Sequence, residues 1–244
     1  MIPRLLYSSL SKENNTLDKK QIHYLKNVLR IKSGDNLILF DGNGKEAEAI
    51  IRIKKNSSAI LLINDWHEIN RETSVKITIA QALCLSNKMD WVVQKSTELG
   101  ASSIQPIITT RCQKKLKISR QKEKVERWQR IANAASAQCG RNIFPKVSLP
   151  LEWEYFIESI NHNKSNACKW LLDPFSKESI SNASLFKNKE LVIAIGPEAG
   201  FSDEEERRAI SNKFKLVRCG GRILRTETAS IVALSVINDR LGEL

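Results

Sequence analysis

Two short stretches carry the residue types that could do chemistry. The first, Ile195-Gly-Pro-Glu-Ala-Gly-Phe201, sets a carboxylate between two glycines. Gly196 and Gly200 let a backbone approach a ligand closely, and Pro197 stiffens the turn. The second, Cys219-Gly-Gly-Arg-Ile-Leu-Arg-Thr-Glu-Thr-Ala229, joins Gly220 and Gly221 to two arginines, a glutamate and two threonines. Such loops can hold a ligand through backbone groups, while arginines and carboxylates can meet charge that develops during a reaction. Neither stretch has the spacing of a P-loop or of the G-x-G-x-x-G dinucleotide fingerprint. Taken singly, each would pass for a plain turn. It is the pair, with charged groups beside glycines in both, that points to a site.

The elements around them decide whether the two stretches can meet. Leu191-Val-Ile-Ala-Ile195 is continuously apolar, as expected of a parallel strand buried on both faces. Ser202 with Glu205 three residues on is a capping box that starts a helix right after the first stretch. Phe214 to Val217 reads as a strand before the second stretch, and Thr226 to Asp239 as a closing helix. Upstream, the patterning gives a strand at Val75–Ala80, a helix at Asn87–Leu99 ended by Gly100, and a strand at Ile104–Thr109. A long helix over Ser119–Gln138 follows, with Val125, Trp128, Ala132 and Ala135 inward, then a helix at Glu152–Ile160 and a strand at Lys169–Leu172. Strand–helix alternation of this kind means an α/β layer fold with a mainly parallel sheet. In such sheets ligands bind beyond the carboxyl ends of the strands, where both stretches fall.

The chain before residue 73 has a different grammar. An extended Arg4–Tyr7 precedes a helix with Ile22, Leu25, Val28 and Leu29 on one face. Strands follow at Asn36–Phe40, Glu46–Lys54 and Ser58–Ile63, the first two joined by an Asp41-Gly-Asn-Gly44 hairpin. Two domains are therefore expected, a β-rich one over 1–72 and an α/β one over 73–244.

Charge adds a partner. The 244 residues hold 39 Lys+Arg against 27 Asp+Glu, a net +12. Residues 73–150 carry 14 basic and 4 acidic groups, against 12 and 9 before them and 13 and 14 after. Arg111–Arg130 alone has nine cations and two carboxylates, with Trp128 and several glutamines interleaved. A charge run can be only a solvated helix face. One dominant sign with interleaved aromatic and amide groups favours RNA or DNA, where binding releases condensed counterions. The five cysteines lie far apart without a C-x-x-C pair, which speaks against a disulfide framework and a thiolate metal site. His23, His67 and His162, expected in the first domain and in a polar linker, fall far in sequence from both stretches, so no metal and no Ser-His-Asp set is expected. No apolar run nears the ~20 residues of a membrane span. Charged and polar residues break up the opening MIPRLLYSSL, so no secretory leader is expected and a cytoplasmic protein is.

With these residues in view the sequence resembles a known family. G-P-E-A-G-F-S-x-x-E (196–205) and R-I-L-R-T-E-T-A (222–229) are similar to the two signature loops of the RsmE family, ribosomal small-subunit methyltransferases within the SPOUT superfamily. Further matches run from Val28-Leu-Arg-Ile-Lys-Ser-Gly-Asp35 and Phe40-Asp-Gly-Asn-Gly44 through Lys95-Ser-Thr-Glu-Leu-Gly100 and Pro106 to Arg127-Trp-Gln-Arg-Ile-Ala132 and Ala137-Gln-Cys-Gly-Arg141. The resemblance implies a small PUA-like β-barrel followed by an α/β domain with a SPOUT-type parallel sheet and a C-terminal trefoil knot. It implies a homodimer that methylates N3 of a uridine in the decoding region of 16S rRNA, in the 30S subunit, with S-adenosylmethionine as donor.

On that resemblance, cofactor contacts fall on Leu172, on Ile195, Gly196, Pro197, Glu198, Ala199 and Gly200, and on Cys219, Gly220, Ile223, Leu224, Arg225, Thr226 and Thr228. Arg225 is expected to stabilise charge developing on the uracil carbonyl oxygens, with Glu198 or Glu227 as base or as orienter of the arginine. RNA phosphates are expected at Arg30, Arg111, Lys114, Lys115, Lys117, Arg120 and Arg141. Two other readings stay open, a SPOUT enzyme acting on ribose 2′-OH and a non-catalytic RNA-binding assembly factor. If the basic segment grips phosphates, Arg120→Ala should weaken 30S binding and flatten the slope of log affinity against log salt by about one. Filter binding at several salt concentrations measures that slope.

Overall fold

The computed structural model describes residues 2–7, 16–54, 58–113, 116–163, 166–184 and 190–244; Lys114 and Lys115 lie outside them. Contacts divide the chain into two compact units. One comprises Met1–Arg71 together with Ser136–Phe144, the other Glu72–Ala135 together with Pro145–Leu244.

In the first unit, β1 (Arg4–Leu6), β2 (Asn36–Phe40), β3 (Lys45–Ile53) and β4 (Ala59–Ile63) lie side by side in that order, and β5 (His67–Glu68) pairs with β3. Only the β1–β2 pairing is parallel. Alternate residues of β3, such as Ala49 and Ile51, point into a core with Leu37, Leu39 and Leu61. The hairpin turn is held by the Asp41 carboxylate, which accepts from the Asn43 and Lys45 amides at 2.7 and 3.0 Å.

The helix expected after β1 departs from its 3.6-residue spacing. It begins as α1 (Lys19–His23) and continues as a π-helical turn over Tyr24–Val28, closed by the Leu29 amide on the Tyr24 carbonyl at 3.1 Å. The wider turn shifts the phase of the side chains, so Leu25 is buried while Val28 is 60% exposed.

Glu46 of β3 collects the polar core of this unit. It accepts from Arg4 at 3.0 Å and from both terminal nitrogens of Arg71 at 2.7 and 2.8 Å. Arg4 also donates to the Asn142 side chain, Arg71 to the Gly140 carbonyl, and the Asn142 amide to the Ile69 carbonyl. The 136–144 segment thus supplies groups that complete this cluster. Arg141 in the same segment is 4% exposed. A guanidinium so enclosed has almost no surface to offer a phosphate, which corrects its expected role as an RNA contact.

The second unit is a seven-stranded parallel sheet with helices on both faces. Its strands are β6 (Lys76–Ala82), β7 (Ser103–Ile108), β8 (Lys146–Val147), β9 (Leu151–Glu152), β10 (Cys168–Leu172), β11 (Glu190–Ile195) and β12 (Lys215–Val217). They run in the order β12-β10-β11-β6-β7-β8, with β9 also on β7. Between them lie α2 (Ser86–Glu98), α3 (Ile118–Cys139), α4 (Trp153–Asn163), α5 (Asp203–Ser211) and α6 (Thr226–Leu241). β11 shows why its sequence is apolar throughout. Leu191, Ile193 and Ile195 pack with Ala233, Leu234 and Ile237 of α6 on one face, while Val192 and Ala194 pack with Trp153 and Phe156 of α4 on the other.

Trp128 of α3 is inward, as its helical spacing predicts, 3% exposed in a core with Met89, Val93 and Ala132, and so is not part of the basic surface. One expectation changes here. His162 sits in the last turn of α4 and not in a linker. Among the described residues no helix is long and apolar enough to cross a membrane.

The Glu46 cluster gives the first unit a measurable acid dependence. Hydrogen bonding from Arg71, opposed by burial and aided by Arg4 and Asn142, lowers the Glu46 carboxyl from an ordinary 4.5 to about 2. A carboxyl lowered on folding stabilises the fold above its unfolded value, and that contribution is lost as pH falls. Glu46→Gln should therefore destabilise the chain near neutrality, and the gap to the parent should close as pH drops from about 4.5 toward about 2. Denaturant unfolding of both proteins across that range reads the gap.

Candidate active site

The two glycine stretches leave the carboxyl ends of two strands that flank a third. The first (196–201) follows β11 and the second (218–225) follows β12, with β10 paired between them. Around their backbones lies a cavity of ≈ 300 Å³. Eleven of the residues expected at the cofactor line it: Leu172, Ile195, Gly196, Pro197, Glu198, Gly200, Cys219, Ile223, Leu224, Arg225 and Thr226. Asp173, Pro174, Val217, Arg222 and Ala229 complete the wall. Ala199 lines an adjoining hollow instead, with Arg111, Phe175 and Glu206. Gly220 and Thr228 lie outside both linings.

Three anchors give the first loop its shape. At its end, Phe201 is buried against the Trp153 ring with centroids 4.9 Å apart. That fold-back brings Phe201 against Gly196, where a Cβ would sit 3.2 Å from both its ring and its amide nitrogen, tighter than an ordinary side-chain contact. Beside it, the turn after β7 supplies two clasps. The Thr110 amide donates to one Glu205 oxygen at 2.8 Å while the Ser202 amide donates to the other at 2.8 Å. Arg111 donates to the Phe201 carbonyl at 2.7 Å and to the Ala199 carbonyl at 3.3 Å. Expected as a phosphate contact, Arg111 here directs its guanidinium to the loop.

The third anchor is Thr226, in the first turn of α6. Its hydroxyl donates to the Gly196 carbonyl at 2.6 Å and accepts from the Gln81 amide at 2.8 Å. Gln81 is fully buried at the end of β6, so one hydroxyl ties a central strand, the first loop and the helix that follows the second loop.

Charge inside the site is arranged differently from the sequence expectation. Glu198 and Glu227 were expected as a base or as orienters of Arg225. Both carboxylates instead flank the Lys88 ammonium, at 2.8 Å for Glu198 and 3.7 Å for Glu227. Burial would raise the Glu198 carboxyl, yet the Lys88 hydrogen bond and nearby backbone amides leave it below its ordinary value. The same bond raises Lys88, so the pair is fully ionised near neutrality. One Glu227 oxygen is enclosed with no hydrogen-bond partner among the described residues. Arg225 is exposed beside the cavity and makes no side-chain cap to α6.

The thiols here are not nucleophiles. Burial, with the Glu198 and Glu227 charges, pushes Cys84 up to about 12, and burial pushes Cys219 up to about 11. Cys219 instead packs against the core formed by β6, β11 and α6.

Lys88 and Gln81 escaped the sequence reading. Neither belongs to a glycine motif, and Ser86-Asn-Lys88 resembles any helix start. The available signal was positional, since β6 lies next to β11 and its carboxyl end must border the same site.

Comparison with known proteins now bears on this geometry. A model of the RNA methyltransferase domain matches residues 71–238, and one of the RNA methyltransferase PUA domain matches residues 17–63. The ribosomal RNA small subunit methyltransferase E of Bacillus subtilis is 32% identical over 225 residues, covering 90% of this chain and 87% of that protein. The chain belongs to the RsmE family of RNA methyltransferases. Two solved structures share its fold along their whole length. The family member from Neisseria gonorrhoeae, bound to S-adenosyl methionine, superposes with a TM-score of 0.86 at 30% identity and 98% coverage of both chains. Lpg2936 from Legionella pneumophila, in complex with SAM, gives 0.87 at 33% identity with the same coverage. Membership of the RsmE family accounts for the two strand-end loops and the mixed-sheet first unit together.

Thr226 gives the site a direct test. Thr226→Val keeps the shape but takes from the buried Gln81 amide one of its two bonds and from the Gly196 carbonyl its hydroxyl donor, which should cost roughly 1–3 kcal/mol. A lowered denaturant midpoint with an unchanged slope would show it.

Proposed function

We propose that the protein transfers the methyl group of S-adenosylmethionine to N3 of a uridine in the decoding region of 16S rRNA, within the 30S subunit. The observation that carries this reading is the cavity between the two strand-end loops, in a chain whose relatives of the same family are solved with that cofactor. The residues present fit such a ligand. Leu172, Ile195, Val217 and Leu224 offer an apolar slot for a flat heterocycle, and the loop backbones offer polar groups beside it. Glu198 and Asp173 add negative charge suited to a cation.

The donor brings its own electrophile, so methyl transfer needs no metal and no protein nucleophile. What the chain must contribute is position and charge. The clasped first loop fixes the ligand wall, and a base held in line with the methyl carbon needs little further ordering. Uracil N3 must lose its proton, which places negative charge on the flanking carbonyl oxygens. Arg225, exposed at the cavity as Arg222 is, supplies the guanidinium assigned to face them. Glu198 on the cavity wall, or Glu227 on the other side of Lys88, would take that proton or orient the arginine.

RNA phosphates fall, in this reading, to Lys117 and Arg120 at the start of α3 and to Arg30 of the first unit, all exposed. The working form is a cytoplasmic homodimer. Ile223 and Phe175, 73% and 80% exposed at the adjoining hollow, are apolar surface that a second copy would cover. A knotted path is also part of the proposal. Segment 173–183 bonds both to β12, through the Asp173 amide on Val217, and to α6, through Arg240 on the Ile180 and Ala183 carbonyls, the bracketing a threaded chain requires.

The test is methylation of 30S subunits that lack the modification, followed by nucleoside analysis. 3-Methyluridine is the expected product, and a 2′-O-methyl nucleoside would overturn the assignment. Arg225→Ala should lower the single-turnover rate at saturating cofactor by about 10²-fold. An unchanged rate would remove Arg225 from the chemistry.

A further inference from the structure

Lys88, Glu198 and Glu227 come from three different elements, α2, the loop after β11 and the first turn of α6. The ammonium lies 2.8 Å from one carboxylate and 3.7 Å from the other, so one positive charge serves two negative ones. The side chains of Lys88, Glu198 and Glu227 are only 23%, 21% and 13% exposed, which limits the screening available from water. The Glu227 oxygen that faces Lys88 at 3.7 Å is enclosed and accepts no hydrogen bond among the described residues. At that distance the ammonium compensates it only in part, while its short bond goes to Glu198. Among the described residues no second cation forms an ion pair with either carboxylate. Cys84 beside the cluster is a neutral thiol, its proton held by burial and by these same two carboxylates. Arg222 and Arg225 line the cavity but are exposed, where solvent weakens their field. Asp173, also on the wall, adds a further negative charge.

We infer that the Lys88–Glu198–Glu227 cluster is a charge discriminator, holding one uncompensated negative charge that favours the sulfonium cofactor over its uncharged thioether product. The inference rests on the cofactor reading above and deepens it. S-adenosylmethionine and S-adenosylhomocysteine share adenosine, ammonium and carboxylate groups, and apart from the methyl group they differ in the charge on sulfur. Shape and hydrogen bonding from the two loops therefore cannot separate them strongly, whereas an unbalanced carboxylate can. Once the methyl group has left, the attraction disappears and the product is held only by contacts it shares with the substrate. Lys88 sets the size of the effect. With no ammonium both carboxylates would pull on the ligand, and with a second one the cluster would be neutral.

Calorimetric titration of the full chain with each ligand at pH 8 tests this. Glu227→Gln keeps the shape and removes the charge, so the ratio of the two affinities should shift about tenfold against S-adenosylmethionine. Lys88→Met unmasks the carboxylates and should shift the ratio the other way. A Glu227→Gln protein that weakens both ligands equally, or a Lys88→Met protein that shifts the ratio in the same direction as Glu227→Gln, would overturn the inference. If the parent chain binds neither ligand, the cofactor reading itself fails, an outcome distinct from both.

Discussion

Thr226 stands between a buried amide and a carbonyl of the first loop, and the architecture of the site depends on that single hydroxyl. It can serve both partners because a hydroxyl donates once and accepts as well. The helix start places it there. α6 begins directly after the second loop, so its first turn must face the first loop, and Gln81 reaches it from the neighbouring strand. Two loops distant in sequence are thereby fixed to one point. The aromatic core beneath adds stiffness, since Phe201 is seated on Trp153 and cannot leave without opening a cavity in the sheet's other face.

Charge is sorted by burial rather than by sequence position. The excess of cations falls in residues 73–150, yet those nearest the site are engaged internally, Lys88 with Glu198 and Arg111 with loop carbonyls. Lys117 and Arg120 stay exposed, available to a polyanion. Around the site Glu198, Glu205 and Glu227 are turned inward. An enzyme that handles a cationic donor and an anionic acceptor needs that division, because the same field cannot attract both.

Much of this was legible in the sequence, for identifiable reasons. β11 announces itself because burial on both faces permits no polar residue in Leu191–Ile195. The capping box at Ser202 and Glu205 is a local hydrogen-bond pattern and forms as local rules demand. The glycine stretches border the cavity because strand ends in a parallel sheet share one edge. Partners distant in sequence were not legible. Nothing near Glu198 indicates that its counter-ion is Lys88, 110 positions away. Trp128, inward on its helical spacing, is indeed core, so the basic run lacks the aromatic group counted with it. Val28 missed its expected face because one widened turn altered the phase, and no residue type signals such a turn in advance.

The cluster around Glu46 has a consequence for how the polypeptide comes off the ribosome. Its first unit is discontinuous, since Gly140, Asn142 and Phe144 belong to it although the 64 residues 72–135 of the other unit intervene. Until those residues have emerged, Arg4 and Arg71 lack part of their hydrogen bonding and Phe40 lacks the ring it meets edge-on at 5.8 Å. Folding that proceeds strictly domain by domain from the N-terminus is therefore not open to this nascent chain. The opening strands must wait, partly ordered, for a segment translated seconds later.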